Sequence, residues 1–427
     1  MGEIKKWLVF VVLLSLMATP VMAACAEPAP TKVTLTAYFS APEFRWDLLV
    51  ATAKEKFKKE NPNIDLEVNY TVYPYEEMSG RLLAMAATRT KADIIAVDQI
   101  WLGQFVETGY IKDITDEAKK WGIEKKLSAP YLEDSKYNGK YYAVWLWTDA
   151  RLLWYRKDVL EKANVEVGDL KTWKGFLNAV PKIKEAAEAR GMRGVAFPGA
   201  AWLVDWWYPF LFQNGGKILI QTDGGDEAGF DNDAGIEAAK FLLKMKQAGV
   251  EIRTDWKWGE DFVDGSYAAY FGGTWVLGKF SEEKLANIRE QVGVTMFPAP
   301  AEKEPRTLNG GWLLSVPVTT EYPEISWEFI KCMLDPDILT PVLAEFGYLP
   351  TNKEIAEEPY ASQLGQNIAF WSEFQKSLSL GGGRPNMPEY PLVAEVLYEA
   401  LLKVLDQKAT PEDAIHAAAE KVNALWR

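Results

Sequence analysis

The stretch ADIIAVD, residues 92–98, carries an apolar run of strand length, Ile94–Val97, closed by Asp98. It reads as a buried strand, and the chain before it falls into place around that reading. YEEMSGRLLAMAATR (75–89) has helical periodicity, and IDLEVNYTVY (64–73) alternates as a strand does. Further back, RWDLLVATAKEKFKKENP (45–62) is a helix stopped by Asn61 and Pro62, and KVTLTAYF (32–39) is another strand. The order is β-α-β-α-β, the signature of α/β layers. In open sheets of this kind ligands collect outside the carboxyl ends of the strands, so Asp98 is an expected ligand contact. The competing reading is an aspartate that caps the next segment, QIWLGQF (99–105).

The 427 residues exceed one ordinary domain, and two domains are expected. Apolar residues make up 48% and aromatic residues 13%, including 18 tryptophans, a composition that folds rather than stays disordered. A net charge of -13 argues against nucleic acid as a partner class, because phosphate binding needs a basic face.

At the N-terminus, Lys5 and Lys6 precede WLVFVVLLSLM (7–17), a run of signal-core rather than membrane-spanning length. Residues 1–24 therefore read as a signal peptide and 25–31 as a Pro- and Ala-rich tether. VMAACAEPAP (21–30) resembles a bacterial lipoprotein signal cleaved before Cys25, which would become a lipid anchor, although Met22 stands where that pattern prefers leucine. The alternative is plain cleavage after Ala23 or Ala24. The remaining cysteine, Cys332, lies in a helical pattern and reads as a core thiol, and the single histidine is His416. No cysteine framework or histidine-rich metal site can be built from these, so neither a metal nor a cofactor is expected.

Downstream, NGK (138–140) signals a turn, and the run after it is apolar until Thr148 and Asp149. Helical patterns follow at FLNAVPKIKEAAEARG (176–191) and AGIEAAKFLLKMKQAGV (234–250), around the tryptophan-dense AAWLVDWWYPFLFQNGGK (200–217).

Six segments in order carry a resemblance: ADIIAVDQIWLGQFVETGYIKDIT (92–115), YNGKYYAVWLWTDARLLWYRKDVLEK (137–162), FGGTWVLGKF (271–280), LNGGWLLSVP (308–317), FGYLPTNKE (346–354) and PEYPLVAEVLYEALLKVLDQKATPEDAI (388–415). Together they resemble the extracellular solute-binding proteins (family 1) of carbohydrate ABC importers, most of all the trehalose/maltose-binding proteins. The resemblance implies an α/β, two-lobed periplasmic-binding-protein fold of type II, with a ligand cleft between hinged lobes. The first lobe would comprise residues 32–147 and 313–348, the second 150–310 and 350–427. WTDAR, LNGGW and FGYLPT would be the crossings.

The chemistry of a sugar agrees with that placement. A pyranose has an apolar face of C–H groups and an equator of hydroxyls, so its site needs aromatic platforms and planar hydrogen-bonding groups. The glycines of FGGTW would let backbone and sugar approach closely, with Trp275 stacking on a ring. By resemblance, Glu43 in the loop after the first strand and Asp98 would bind hydroxyls. Trp147 and Asp149 would come from the first crossing, Gly311 and Trp312 from the second, Tyr348 from the third, and Arg384 from GGGRP. Arg81 is a further candidate in a slipped register. This sequence departs from the family in AWLVDWW (201–207), where Trp202 and Trp206 add platforms: these extend the site to more rings or fill it and shorten the ligand.

Three function classes follow. A sugar-binding transport component is a monomer outside the cell membrane, cell-surface or periplasmic, that captures a di- or oligosaccharide by lobe closure. It delivers the sugar to a membrane permease with a separate ATPase, and this chain carries no GxxxxGK[ST] loop. A secreted glycoside hydrolase would use Asp98 and Asp149 as paired carboxylates. A structural or adhesive lipoprotein would show no closure.

Overall fold

The computed structural model describes residues 30–222 and 225–426, so the signal, Cys25 and all but the end of the tether lie outside the described residues. Ten strands form the main sheet. They are β1 (Thr31–Ser40), β2 (Ile64–Tyr73), β3 (Ile94–Asp98), β4 (Val144–Arg156), β5 (Arg193–Pro198), β6 (Glu251–Arg253), β7 (Tyr267–Gly273), β8 (Val292–Thr295), β9 (Thr307–Ser315) and β10 (Gly381–Gly382). Their lateral order is β6-β5-β7-β4-β9-β3-β1-β2, with β8 also on β4 and β10 on β9.

The expected opening is present. Strands β1, β2 and β3 pair in parallel, and the helices Trp46–Glu60 and Tyr75–Thr88 connect them. Asn138 and Gly139 both take positive φ, which gives the two-residue turn between Lys136–Tyr137 and Lys140–Tyr141 the twist a hairpin needs.

The two lobes share their central strands. Strand β4 runs 13 residues and is buried up to its last position, so the apolar run of the sequence is one long strand. Its first half pairs with β9, and its second half, from Arg151, pairs with β7 and β8. Strand β9 in turn pairs with β3 of the first lobe. The third crossing joins them: Thr148 lies opposite Gly311 on one side and exchanges two backbone hydrogen bonds of 2.9 Å with Leu349 on the other. Gly311 has φ +145°, and a Cβ there would meet the Trp147 carbonyl oxygen at 2.2 Å, so only glycine fits this crossing.

The C-terminal segment leans back on the first lobe. Lys353 N donates to Lys126 O at 2.7 Å, and Asn386 accepts from Gly103 N at 2.9 Å while donating to Lys136 O at 3.0 Å. The final helices, Tyr390–Leu405 and Pro411–Asn423, pack on each other and on the helix Asp233–Ala248 of the second lobe. Cys332 is buried and unpaired by disulfide, as a core thiol should be. Among the described residues no helix is long and apolar enough to cross a membrane.

Candidate functional site

The strand ends and the crossings enclose a cavity of about 230 Å³. The first lobe contributes Glu43 from the loop after β1, Tyr75 and Glu76 from the helix start after β2, and Asp98 from the end of β3. Strand β4 contributes Trp147, Asp149 and Arg151, three alternate residues and therefore on one face. Gly311, Trp312 and Tyr348 come from the other two crossings, and Trp202, Trp258, Trp275, Lys279 and Arg384 complete the wall.

Asp98 caps the next turn and also lines the cavity. Its Oδ1 accepts from Ile100 N at 3.2 Å, capping the next turn, while the carboxylate also faces the cavity. Oδ1 further accepts from Arg384 Nη2 at 2.9 Å, and Oδ2 accepts from the Tyr75 hydroxyl at 2.6 Å. The other end of the Arg384 fork, Nη1, donates to Asp205 Oδ2 at 2.6 Å, and Asp205 also accepts from Tyr390 Oη at 3.2 Å. One guanidinium thus ties Asp98 of the first lobe to Asp205 of the helix Leu203–Gln213. Burial alone would lower the Arg384 pKa, but Asp205 and Asp98 overcome it and hold the group well above its ordinary value.

Asp149 is less committed. Burial raises its carboxyl above the ordinary value against the opposing pull of Arg151 and Arg384, and Oδ1 has no hydrogen-bond partner. At the third crossing, the Tyr348 hydroxyl donates to Glu43 Oε1 at 3.0 Å. Burial and the neighbouring Glu43 raise the Tyr348 pKa well above the ordinary value, so it remains a donor.

The aromatic lining is a continuous set of edge and tilted contacts. Tyr75 meets Trp202 at 4.7 Å and Trp312 at 5.7 Å between ring centroids, and Trp202 meets Trp258 at 4.9 Å. Trp258 stands at φ +52°, a left-handed conformation that a bulky residue keeps only where its surroundings impose it. Its indole Nε1 donates to Glu76 Oε1 at 3.1 Å, across the cavity mouth.

Ten of the residues expected from the sequence line this one cavity: Glu43, Asp98, Trp147, Asp149, Trp202, Trp275, Gly311, Trp312, Tyr348 and Arg384. Trp206 does not. It is 1% exposed and packs between Trp256, Phe297 and the guanidinium of Arg151, behind the wall rather than in it. A spacing of four would put both on one helix face, but Trp202 ends the short 3-10 turn Ala200–Trp202, whereas Trp206 lies inside the helix Leu203–Gln213, where nearly every residue is buried. Arg81 is also outside; it is exposed and paired with Glu77 on its own helix. At Gly273 it is the indole of Trp275 itself that presses on the backbone, rather than a sugar.

Tyr75, Glu76, Arg151, Trp258 and Lys279 were not singled out in the sequence. Two signals were available. Tyr75 and Glu76 follow a strand end, the rule that selected Asp98, and Arg151 is two residues from Asp149 in a strand. Trp258 and Lys279 carry no such signal.

A profile described as bacterial extracellular solute-binding protein matches residues 52–367. A binding protein of Brucella abortus (strain 2308) is 24% identical, covering 99% of each chain. The sn-glycerol-3-phosphate-binding periplasmic protein UgpB of Escherichia coli (strain K12) is 25% identical, over 88% of this chain and 89% of that protein. Two solved structures share the fold. An ABC transporter solute-binding protein from Thermotoga lettingae, bound with α-D-tagatose, has TM-score 0.79 at 24% identity, covering 92% of this chain and 100% of that one. Maltose-bound MalE3 of T. maritima has TM-score 0.77 at 23% identity, covering 92% and 99%.

Proposed function

The chain belongs to the bacterial extracellular solute-binding protein family, and on that premise we propose that it captures a short neutral saccharide for an ABC importer. One observation carries the reading: a single cavity between the lobes is walled by indoles and carboxylates from both of them and from all three crossings. Flat rings suit the C–H face of a sugar, and Asp149 and Glu43 suit its hydroxyls. Sugar that touches both lobes favours the closed arrangement over an open one, and closure is the signal a membrane permease reads. We keep residues 32–147 with 313–348 and 150–310 with 350–427 as the two lobes, the paired crossings at Thr148, Gly311 and Leu349 supporting a hinge there. Because every wall of the cavity comes from one chain, a monomer suffices.

The cavity is below the roughly 300–1,000 Å³ of pockets that hold drug-sized ligands, which favours one or two sugar rings. Among maltose- or trehalose-like ligands the disaccharide is then the upper limit. The name of the Escherichia coli relative raises sn-glycerol 3-phosphate as a second reading. The wall opposes it: Glu43, Glu76, Asp98 and Asp149 outnumber Arg151, Lys279 and Arg384, and Arg384 is already paired with two carboxylates. Hydrolysis is opposed by Asp98, one of the two carboxylates it would use, which is held by Arg384, Tyr75 and a backbone amide. On this reading the chain acts by binding, and the lipoprotein-like segment around Cys25 supports a secreted protein tethered there.

Calorimetric titration with glucose, tagatose, maltose, trehalose, maltotetraose and sn-glycerol 3-phosphate tests this. Saturable binding of a mono- or disaccharide, returned unchanged, is expected. Binding of the phosphate ester alone would overturn it.

A further inference from the structure

We propose that Arg151, together with Asp149, reads a ligand hydroxyl and sets how large a ligand the cavity admits; this rests on the saccharide reading of the same cavity. The side chain is nearly enclosed, at 8% exposure, yet lines the cavity. Its guanidinium carbon lies 5.0 Å from the ring centroid of Trp206 and 5.9 Å from that of Trp275, so the group is held between the core indole and the lining one. No donor of this side chain makes a hydrogen bond among the described residues, and Nε and Nη1 are buried without a partner. The nearest carboxylate oxygens stand too far off for one: Asp149 Oδ1 is 3.7 Å from Nε, and Asp205 Oδ2 is 4.0 Å from Nη1. Asp205 is already engaged by Arg384 and Tyr390.

A buried guanidinium with unspent donors faces a buried carboxylate with an unspent acceptor, Asp149 Oδ1. Buried polar groups of native proteins are ordinarily satisfied, and these two belong to the same cavity wall. A hydroxyl suits both at once, because its oxygen accepts from Arg151 while its hydrogen is donated to Asp149. A phosphate or carboxylate oxygen would satisfy only the arginine and would crowd Asp149. The arginine also occupies space beside Trp275, so it limits the ligand at that end.

The test uses the mature protein and calorimetry with glucose, tagatose, maltose, trehalose and maltotetraose, with the apo melting temperature recorded for each variant. Arg151→Gln and Asp149→Asn are each expected to weaken the best wild-type sugar roughly ten- to a hundredfold. The double variant is expected to lose no more than the worse single one, since one hydroxyl is shared. Arg151→Ala is expected to move the ranking toward maltotetraose. Additive losses, or Arg151 variants that are less stable but bind with wild-type affinity and ranking, would overturn the proposal while leaving the saccharide reading in place. Wild-type protein that binds none of these sugars would overturn both.

Discussion

The indole of Trp275 lies against the backbone of Gly273, so closely that a Cβ on residue 273 would sit 1.9 Å from the ring atom Cζ3. The ring rests on the end of β7 and lines the cavity, and it can do so because the residue two places earlier has no side chain. Gly273→Ala is therefore expected to displace the indole and to lower both sugar affinity and apo stability. Trp275→Ala should chiefly lower affinity, by about 1–3 kcal/mol or roughly ten- to a hundredfold, as for other stacked rings. Paired calorimetry and apo melting curves check this; unchanged affinity with a much less stable apo protein would make Trp275 core.

Truncating Trp206 should chiefly lower stability. Its ring is enclosed by Trp256, Phe297 and Arg151, so Trp206→Ala leaves a cavity and is expected to cost about 3–5 kcal/mol of stability. Chemical denaturation measures it. Loss of affinity at wild-type stability would return Trp206 to the site.

Arg384 joins the lobes through Asp98 and Asp205, and all three side chains are buried. Arg384→Ala strands two buried carboxylates, at a cost of roughly 3–5 kcal/mol, and removes a contact made only when the lobes are together. A lower melting temperature and a larger apo radius of gyration in small-angle scattering are expected. A variant as compact as the wild type would show that the bridge does not hold the lobes.

Beside that bridge, burial pushes the Asp134 carboxyl up to about 7, against the pull of Arg384. Between the ordinary value of 3.8 and about 7 the folded protein keeps a proton that the unfolded chain has released. This contribution to stability is fully present below pH 4 and is lost as pH rises through about 7. Asp134→Asn, neutral throughout, should remove that slope and be the more stable protein at pH 8, by on the order of 1–4 kcal/mol. Parallel denaturation-versus-pH curves for the two proteins would refute this.

Cys25→Ser should release the protein from the membrane fraction with sugar binding intact. A variant that still sediments with membranes rules out the lipid anchor and leaves the binding site untouched.

Much of this protein is legible in its sequence, for reasons that are local. Within 92–98, Ile94–Asp98 is a buried strand because apolar residues without helical length have nowhere else to go, and the β-α-β-α-β order follows from alternating periodicities. The same logic reaches Asp98, because a strand's carboxyl end is known once the strand is. Resemblance alone places Gly311 at a crossing; that its backbone takes φ +145° is a finding of the structure.

The tertiary structure alone decided which neighbours each side chain meets. Trp202 and Trp206 are indistinguishable in AWLVDWW, and their spacing would put them on one helix face, yet Trp202 ends a short turn and lines the cavity while Trp206 lies within the buried helix. Trp258 joins the wall from a loop whose path depends on β7 and its partners rather than on its own residues. That Arg384 pairs with Asp98, 286 positions away, could not be read from either segment. Periodicity acts over a few residues and is written in the chain, whereas a site is assembled from strand ends and crossings whose meeting depends on how the whole sheet is ordered.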